Sequence, residues 1–270
     1  MRGCRHHIPF VFSCCLVLLP VASARADLTT ESTAPSYTAA GIVHAATQTA
    51  EALAPNTIAT IYGTYLSWMT HATAVGDLNG GTLPTSLEGV SVYVNGILSG
   101  LFYVSPGQIN FLIPYDITDS TGKVEVVRQG VGGPAATIQL ATTAPGFFQW
   151  NGNFAVAEHA DGSLISDAAP ARAGEIVVLY AAGLGRTIPD VPSGHVVSTA
   201  TTILYASELQ ILLNGAPCPA SSIYYAGLTP GYAGLYQINL KLPDTLPANP
   251  AIRIVIGAQT SPAAIQLSVQ

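Results

Sequence analysis

The sequence predicts an all-β protein built as two antiparallel β-sandwiches in tandem, and three observations carry that prediction. The first is a stretch that occurs twice. LFYVSPGQINFLIP at residues 101–114 returns as YYAGLTPGYAGLYQINLKLP at residues 224–243. Each version runs from an aromatic pair through Pro-Gly into Gln-Ile-Asn, then alternates and stops at a proline. Pro-Gly is turn chemistry, and alternation of apolar with polar residues marks a strand with one buried face. The inward set is Ile109, Phe111 and Ile113 in the first copy and Ile238, Leu240 and Leu242 in the second. Gln237, Asn239 and Lys241 then face out. The second observation is Asn-Gly between apolar runs, at Asn95-Gly96 and again at Asn214-Gly215. Both residue types tolerate the positive φ of a type I′ hairpin turn. The third is the lack of helix signal: no long 3.6-residue apolar period, few charges, and prolines throughout. Many short strands separated by turns argue for sandwiches.

Residues 1–26 read as a secretory signal peptide. Arg2 and Arg5 precede an apolar run from Ile8 to about Ala22, and Ala24-Arg25-Ala26 is a small-x-small cleavage site. Pro9 and Pro20 interrupt the run, which is also too short for a membrane span of about 20 residues. A lipoprotein reading, with Cys14 or Cys15 lipidated, would leave only a stub of apolar sequence ahead of the cysteine. Residues 27–40, rich in Thr, Ser and Ala without periodicity, read as a flexible N-terminal lead.

The first domain is assigned to residues 41–143. Ile58 to Tyr62 is a strand ended by Gly63, followed by a long polar, glycine-rich loop to about Glu88 that carries Tyr65, Trp68 and Met69. Val90 to Val94, the run up to Val104, Gln108 to Pro114, Lys123 to Arg128 and Ala136 to Ala141 complete its strands. The second domain, residues 144–270, replays this order. Ile176 to Tyr180 answers Ile58 to Tyr62, and Leu184 answers Leu66. Leu209 to Leu213 with its Asn-Gly answers Val90 to Val94, and Ile252 to Ile256 answers Val124 to Val127. Ala264-Ile265-Gln266-Leu267 nearly copies Thr137-Ile138-Gln139-Leu140. Matched landmarks in one order indicate a duplication, and two copies make tandem domains, not a solenoid. The boundary falls at residues 142–146. Phe147, Phe148 and Trp150 just beyond it are too apolar for a free linker and either pack into the second domain or wedge between the two.

Removing 26 of 270 residues leaves 244, room for two domains. The signal takes Arg2, Arg5 and Arg25 with it, leaving six basic against fifteen acidic residues, a net −9. That excludes nucleic acid and anionic membrane surfaces as expected partners, since both are gripped by clustered Lys and Arg. Cys218 is the one cysteine of the mature chain, so no intrachain disulfide forms and each domain stands on its hydrophobic core. Between Pro217 and Pro219, Cys218 reads as a small buried apolar side chain.

LFYVSPGQINFLIP, GEIVVLYAAGLG at residues 174–185 and YAGLTPGYAGLYQINLKLP resemble the Solibacter-type uncharacterised C-terminal domain, over nearly the whole mature chain. That family is a secreted module abundant in Acidobacteria and often found at the end of larger extracellular proteins. The resemblance implies immunoglobulin-like sandwiches of the IPT/TIG kind and no established activity, so it supplies no catalytic residues. By sequence, the module is expected here to stand alone behind its signal.

Chemistry-bearing motifs are sparse. His44, His71, His159 and His195 show no zinc-site spacing and no cysteine pair joins them, so they read as scattered surface or loop residues. Gly-x-Ser-x-Gly and Gly-x4-Gly-Lys-Ser/Thr are missing. Asp116 and Asp119 could offer oxygens to calcium, but without EF-hand spacing they read as turn residues. Gln108/Asn110 and Gln237/Asn239 recur at matching positions and read as amides bonded to nearby backbone. No catalytic residue, metal or cofactor is predicted. Aromatic loops supply the candidate binding residues: Tyr65 and Trp68 in the first domain, Tyr232 and Tyr236 flanking a five-residue insertion in the second. Rings with a polar edge suit protein or sugar surfaces, and loops on a rigid sandwich are where binding residues concentrate. The expected protein is a secreted, non-catalytic interaction module for a protein or surface polysaccharide. The rivals are a carbohydrate-binding module and a carbohydrate-active enzyme in which Glu158, His159, Asp161 and Asp167 share one cleft.

Overall fold

The computed structural model describes residues 33–270, and the predicted signal peptide lies outside them. Thr33–Gln270 forms one compact unit. It is all-β, its sheets built of antiparallel strand pairs, with three single-turn 3-10 helices and no α-helix among the described residues. No helix there is long and apolar enough to cross a membrane.

In the first half the strands are β1 (Ser36–His44), β2 (Ile58–Thr64), β3 (His71–Ala72), β4 (Val90–Val94), β5 (Ile97–Leu98), β6 (Leu101–Val104), β7 (Gln108–Leu112), β8 (Thr121–Arg128), β9 (Val131–Gly132) and β10 (Ala136–Gln139). They form one sheet in the order β1-β2-β7-β6-β3 and a second in the order β10-β8-β4-β5. Ile61, Ile109 and Phe111 from the first sheet meet Val90, Val92, Val94, Val124 and Val126 from the second in one core. First, second, fifth and fourth long strands on one side and third, sixth and seventh on the other is the strand order of an immunoglobulin-like sandwich.

In the second half come β11 (Gly146–Phe147), β12 (Gln149–Trp150), β13 (Phe154–Ala155), β14 (Ala157–His159), β15 (Ile176–Ala182), β16 (Thr187–Ile188), β17 (Thr201–Ile203), β18 (Leu209–Leu213), β19 (Ala216–Pro217), β20 (Ile223–Leu228), β21 (Tyr236–Lys241), β22 (Ile252–Ile256) and β23 (Gln259–Thr260). One sheet runs β11-β15-β21-β20-β17-β16, with β14 also on β15, and the other runs β19-β18-β22-β23. Leu179, Ile238 and Leu240 face Ile211, Ile252 and Ile254 across a second core, which also takes in Phe147 and Cys218. Residues 265–267 lie against the start of β22 through Ile252 N–H to the Ile265 carbonyl (2.8 Å) and Leu267 N–H to the Pro250 carbonyl (3.0 Å).

The two halves agree in register as well as order. Gln-Ile-Asn sits on β7 and on β21, and Tyr62 opposes Gln108 as Tyr180 opposes Gln237. Both aromatic pairs fall at a register irregularity, between Leu101 and Tyr103 on β6 and between Ile223 and Tyr225 on β20. Asn95 and Gly96 have φ of 50° and 78°, and Asn214 and Gly215 have 48° and 80°, the left-handed pair of a type I′ turn.

One expectation is corrected at the N-terminus. Residues 36–40 belong to β1, not to a flexible lead. Tyr37 is buried, and its hydroxyl accepts the Val126 N–H (2.8 Å) and donates to the Pro134 carbonyl (2.6 Å). Register with β2 breaks between Tyr37 and Ile42, so the strand has no two-residue alternation to read.

The halves meet closely. Gly183 (φ 77°) and Gly185 (φ 86°) follow β15, and a Cβ on them would stand 1.9 Å from the Ala144 carbonyl oxygen and 2.5 Å from that of Thr142. Residues 192–196 bond across to the first half: Leu83 N–H to the Gly194 carbonyl (2.9 Å), Val196 N–H to the Gly81 carbonyl (2.7 Å) and Tyr115 N–H to the Ser193 hydroxyl (2.8 Å).

Candidate functional site: exposed aromatic surfaces

The loop leaving β2 carries the most exposed aromatic surface of the first half. Leu66 anchors it in the core, and the Ser67 hydroxyl accepts the Met69 N–H (3.1 Å). Tyr65, at φ 56°, is 46% exposed, Trp68 49% and Met69 57%. The two rings meet edge to face with centroids 6.3 Å apart. Beneath Trp68 lies a residue that the sequence reading did not select: the Arg128 guanidinium, 3.8 Å from the indole ring centre. Arg128 is buried at the end of β8 and donates to the backbone carbonyls of Tyr65 and Thr33. Burial lowers its pKa, yet a guanidinium stays charged, and the indole face offers it a cation–π contact in place of water.

The corresponding loop of the second half, after β15, has Gly183 where the first has Tyr65 and Leu184 where the first has Leu66. There the missing side chain lets the loop close onto residues 142–144. One loop position thus makes a junction in one half and presents a ring in the other.

A second aromatic surface lies on the outer face of the second half. Phe148, Val156, Glu158, Tyr180, Tyr232 and Leu235 line an open hollow of about 380 Å³. Tyr180 donates its hydroxyl to Glu158 Oε2 (2.8 Å). Burial first, then the Glu158 bond, push its pKa up to about 12. Tyr232 is 56% exposed. Tyr236, expected to share a binding role with it, is instead fully buried in the second core, its hydroxyl donating to the Gly185 carbonyl. It faces in for the same reason as Ile238 and Leu240, with which it alternates along β21.

The matched amide pairs take a form other than the expected bonds to backbone. Gln108 Nε2 donates to Asn110 Oδ1 (2.8 Å), and Gln237 Nε2 donates to Asn239 Oδ1 (3.0 Å). Asn110 Oδ1 also accepts from the Thr60 hydroxyl (3.1 Å).

Glu158, His159, Asp161 and Asp167, the four residues of the carbohydrate-active rival, are not gathered in one hollow. Glu158 and His159 are neighbours on β14 and line separate hollows, Glu158 with Tyr180 and His159 with Arg172 and Glu175. Asp161 is held by the Ser163 hydroxyl (2.6 Å), and Asp167 is exposed. The histidines are scattered as expected, with one correction, since His44 is buried and is not a surface residue. His71 bridges Glu88 through Nδ1 (2.8 Å) and Asp77 through Nε2 (3.0 Å). His159 lies between Glu175 and the Ala169 carbonyl. Both nitrogens of each ring face acceptors, which only an imidazolium satisfies, and these bonds raise both pKa values. His44 is buried, and its Nδ1 accepts the Ala46 N–H (3.1 Å). His195 is near the Thr82 hydroxyl (3.4 Å). Asp119 accepts from Asn95 Nδ2 (2.8 Å) beside the hairpin turn. Among the described residues no group of His, Cys, Asp or Glu is placed to hold a metal ion.

No protein-family model matches the chain, and no curated protein sequence matches it. Solved structures give distant likenesses. A surface glycan-binding protein from Prevotella bryantii is 13% identical with a TM-score of 0.27, over 87% of this chain and 42% of that one. A glycan-binding protein of the Bacteroides ovatus mixed-linkage glucan utilization locus, in complex with a heptasaccharide, is 11% identical with a TM-score of 0.31, over 81% and 42%. The plexin A4 extracellular region is 12% identical with a TM-score of 0.30, over 93% and 20%. The chain thus spans about two fifths of the two glycan-binding structures.

Proposed function

We propose that the protein is a secreted, non-catalytic interaction module that docks a partner protein or a surface polymer through aromatic side chains held rigidly at its surface. The observation that carries this is the loop after β2. Tyr65, Trp68 and Met69 stand out in solvent over a buried guanidinium, where the matching loop of the second half is closed by glycines. Large rings kept exposed on an ordered scaffold are what an interface uses as anchors, and their order before binding lowers the entropy lost on association. Secretion rests on the signal-peptide pattern of residues 1–26. The two-domain organisation, with a boundary near residue 143, rests on the repeated register of β7 and β21. The absence of a catalytic role rests on the separation of Glu158 from His159 into different hollows.

The alternative, a carbohydrate-binding role, is favoured by one observation, the hollow that joins Tyr232 and Tyr180 to a carboxylate.

The test is sedimentation with the cell-envelope fraction of the source cells. Wild-type protein should be retained, and Trp68→Ala, assayed well below its melting temperature and shown to be folded by near-ultraviolet circular dichroism, should cut retention at least tenfold. Equal retention of the two, or none of the wild type, refutes the reading.

A further inference from the structure

We infer that the outer face of the second half holds a subsite for a neutral sugar ring of a polysaccharide, formed by Tyr232, Tyr180 and Glu158; this rests on the binding-module reading above. Tyr232 is the exposed tip of the insertion that the first half lacks. The loop around it is fixed: Ala233 and Tyr236 are buried, Gly234 lies against Leu112, and Tyr232 N–H donates to the Thr229 carbonyl (3.1 Å). Folding has therefore already fixed the backbone that presents the ring on which a ligand would stack.

The polar groups decide the ligand class. Tyr180 spends its proton on Glu158 Oε2, so the carboxylate keeps free acceptor positions. Across the β15–β21 pair, Tyr180 stands opposite Gln237, whose amide N–H₂ is turned to Asn239 Oδ1. That bond leaves Gln237 Oε1 as an acceptor and the Asn239 amide as a donor. An apolar ring face flanked by a few fixed donors and acceptors is the usual build of a small-ligand site, and a pyranose offers the matching pair, a C–H face and a rim of hydroxyls that both give and accept. A cationic side chain would leave the Asn239 amide donor without an acceptor. An anionic polymer would meet Glu158. In the first half the Tyr62 hydroxyl donates to Gln48 Oε1 (2.9 Å) beside the equivalent Gln108–Asn110 pair. The first half thus repeats the ring and the amide pair, with the Gln48 amide where the second half has the Glu158 carboxylate.

Affinity electrophoresis tests this, in gels containing soluble β-glucan, xylan or mannan, with alginate as the anionic counterpart. Wild-type protein should be retarded in at least one neutral gel and not in alginate. Tyr232→Ala and Gln237→Leu should each weaken retardation at least tenfold. Tyr180→Phe, which keeps the ring, should weaken it less, and the control Val75→Ala should leave it unchanged. Near-ultraviolet circular dichroism identifies any variant that fails to fold. Retardation that survives Tyr232→Ala and Gln237→Leu overturns the subsite. So does the absence of retardation in every neutral gel; if Trp68-dependent envelope retention persists, the interaction-module reading stands without it, and if that is lost too, both fall.

Discussion

Arg128 is the residue on which the exposed ring pair of the first half depends. Among the described residues its charge is buried without a carboxylate partner, satisfied by the Tyr65 and Thr33 carbonyls and by the Trp68 face, while Nε has no hydrogen-bond partner there. Hydrogen bonds from a charged donor contribute about 1.5–3 kcal/mol each, and a desolvated cation–π contact about 2 kcal/mol. Desolvation of the guanidinium and its orphaned Nε offset part of that. Arg128→Met should therefore lower stability by about 2–4 kcal/mol in urea titration and move the tryptophan emission, since Trp68 loses the cation under its ring. A variant within about 0.5 kcal/mol of wild type would show that the loop holds its rings by other means. Arg128 and Tyr236 show how parity along a strand decides burial. Val124 and Val126 face in along β8, and Arg128 has the same parity. Ile238 and Leu240 face in along β21, and so does Tyr236. Both orientations were legible in the alternation, but arginine and tyrosine are residue types usually given to the surface, and that habit obscured them. The exposure of Tyr65 and Trp68 was legible because rings in a polar loop have no inward phase to follow. The stack of Arg128 on Trp68 was not, because it joins residues from different sheets.

At the scale of the element, the hairpin turns are set by local chemistry, and the rest of the sheet inherits their register. Asn214 and Gly215 both sit at positive φ, and Asn214 Oδ1 accepts the Ala251 N–H (2.8 Å), tying the turn to the segment ahead of β22. Nothing lies within 4 Å of a Cβ built on Gly215, so Gly215→Ala adds backbone strain and no clash. The expected cost is about 1 kcal/mol, read as a shift of the urea midpoint with unchanged slope. A neutral substitution would mean that the turn relaxes to another type. Elements whose pattern is local were therefore legible from the chain: β4, β7, β18 and β21 each alternate and end at a turn signal. β1 was not, because its pairing with β2 breaks between Tyr37 and Ile42 and its exposed residues are small. The same limit applies to the amide pairs, whose recurrence is visible in sequence while their choice of each other over the backbone depends on a shared sheet face.

For the whole molecule, the junction between the halves is the part that sequence could not convey, and it determines how the protein unfolds. His44 lies within it: Nε2 is buried without a partner in hydrogen-bonding geometry among the described residues and would sit 2.8 Å from a Cβ on Gly183. Burial depresses its pKa to about 4, although the Ala144 and Ala182 carbonyls pull the other way. Glu51 shares the small cavity beside it. Unfolded, the ring takes its proton near pH 6.5, so below that pH the unfolded chain binds more protons and stability falls until about pH 4. Linkage over that interval amounts to about 3 kcal/mol. His71 and His159, whose pKa values are raised, act in the opposite sense: their contribution is full below pH 6.5 and is lost as pH rises through their folded values. Urea midpoints against pH should therefore show an acid limb that His44→Gln flattens; a limb of unchanged size in that variant would place the proton uptake elsewhere. The closeness that buries His44 also couples the two cores. Backbone bonds cross from residues 192–196 to the first half, and the loop after β15 lies so near residue 144 that no side chain fits at Gly183. Interfaces this tight make two sandwiches unfold together, and the wild type should give one calorimetric transition whose van't Hoff and calorimetric enthalpies agree. Gly183→Ala must displace the loop from the Ala144 carbonyl and also occupy a φ of 77° with an L side chain, costs that together reach on the order of 3 kcal/mol. Each core remains intact in that variant, so the penalty falls on their coupling. Two resolved transitions in Gly183→Ala, with Gly215→Ala still giving one, are the expected result; a single transition in both would mean that the halves are held together by contacts other than this loop.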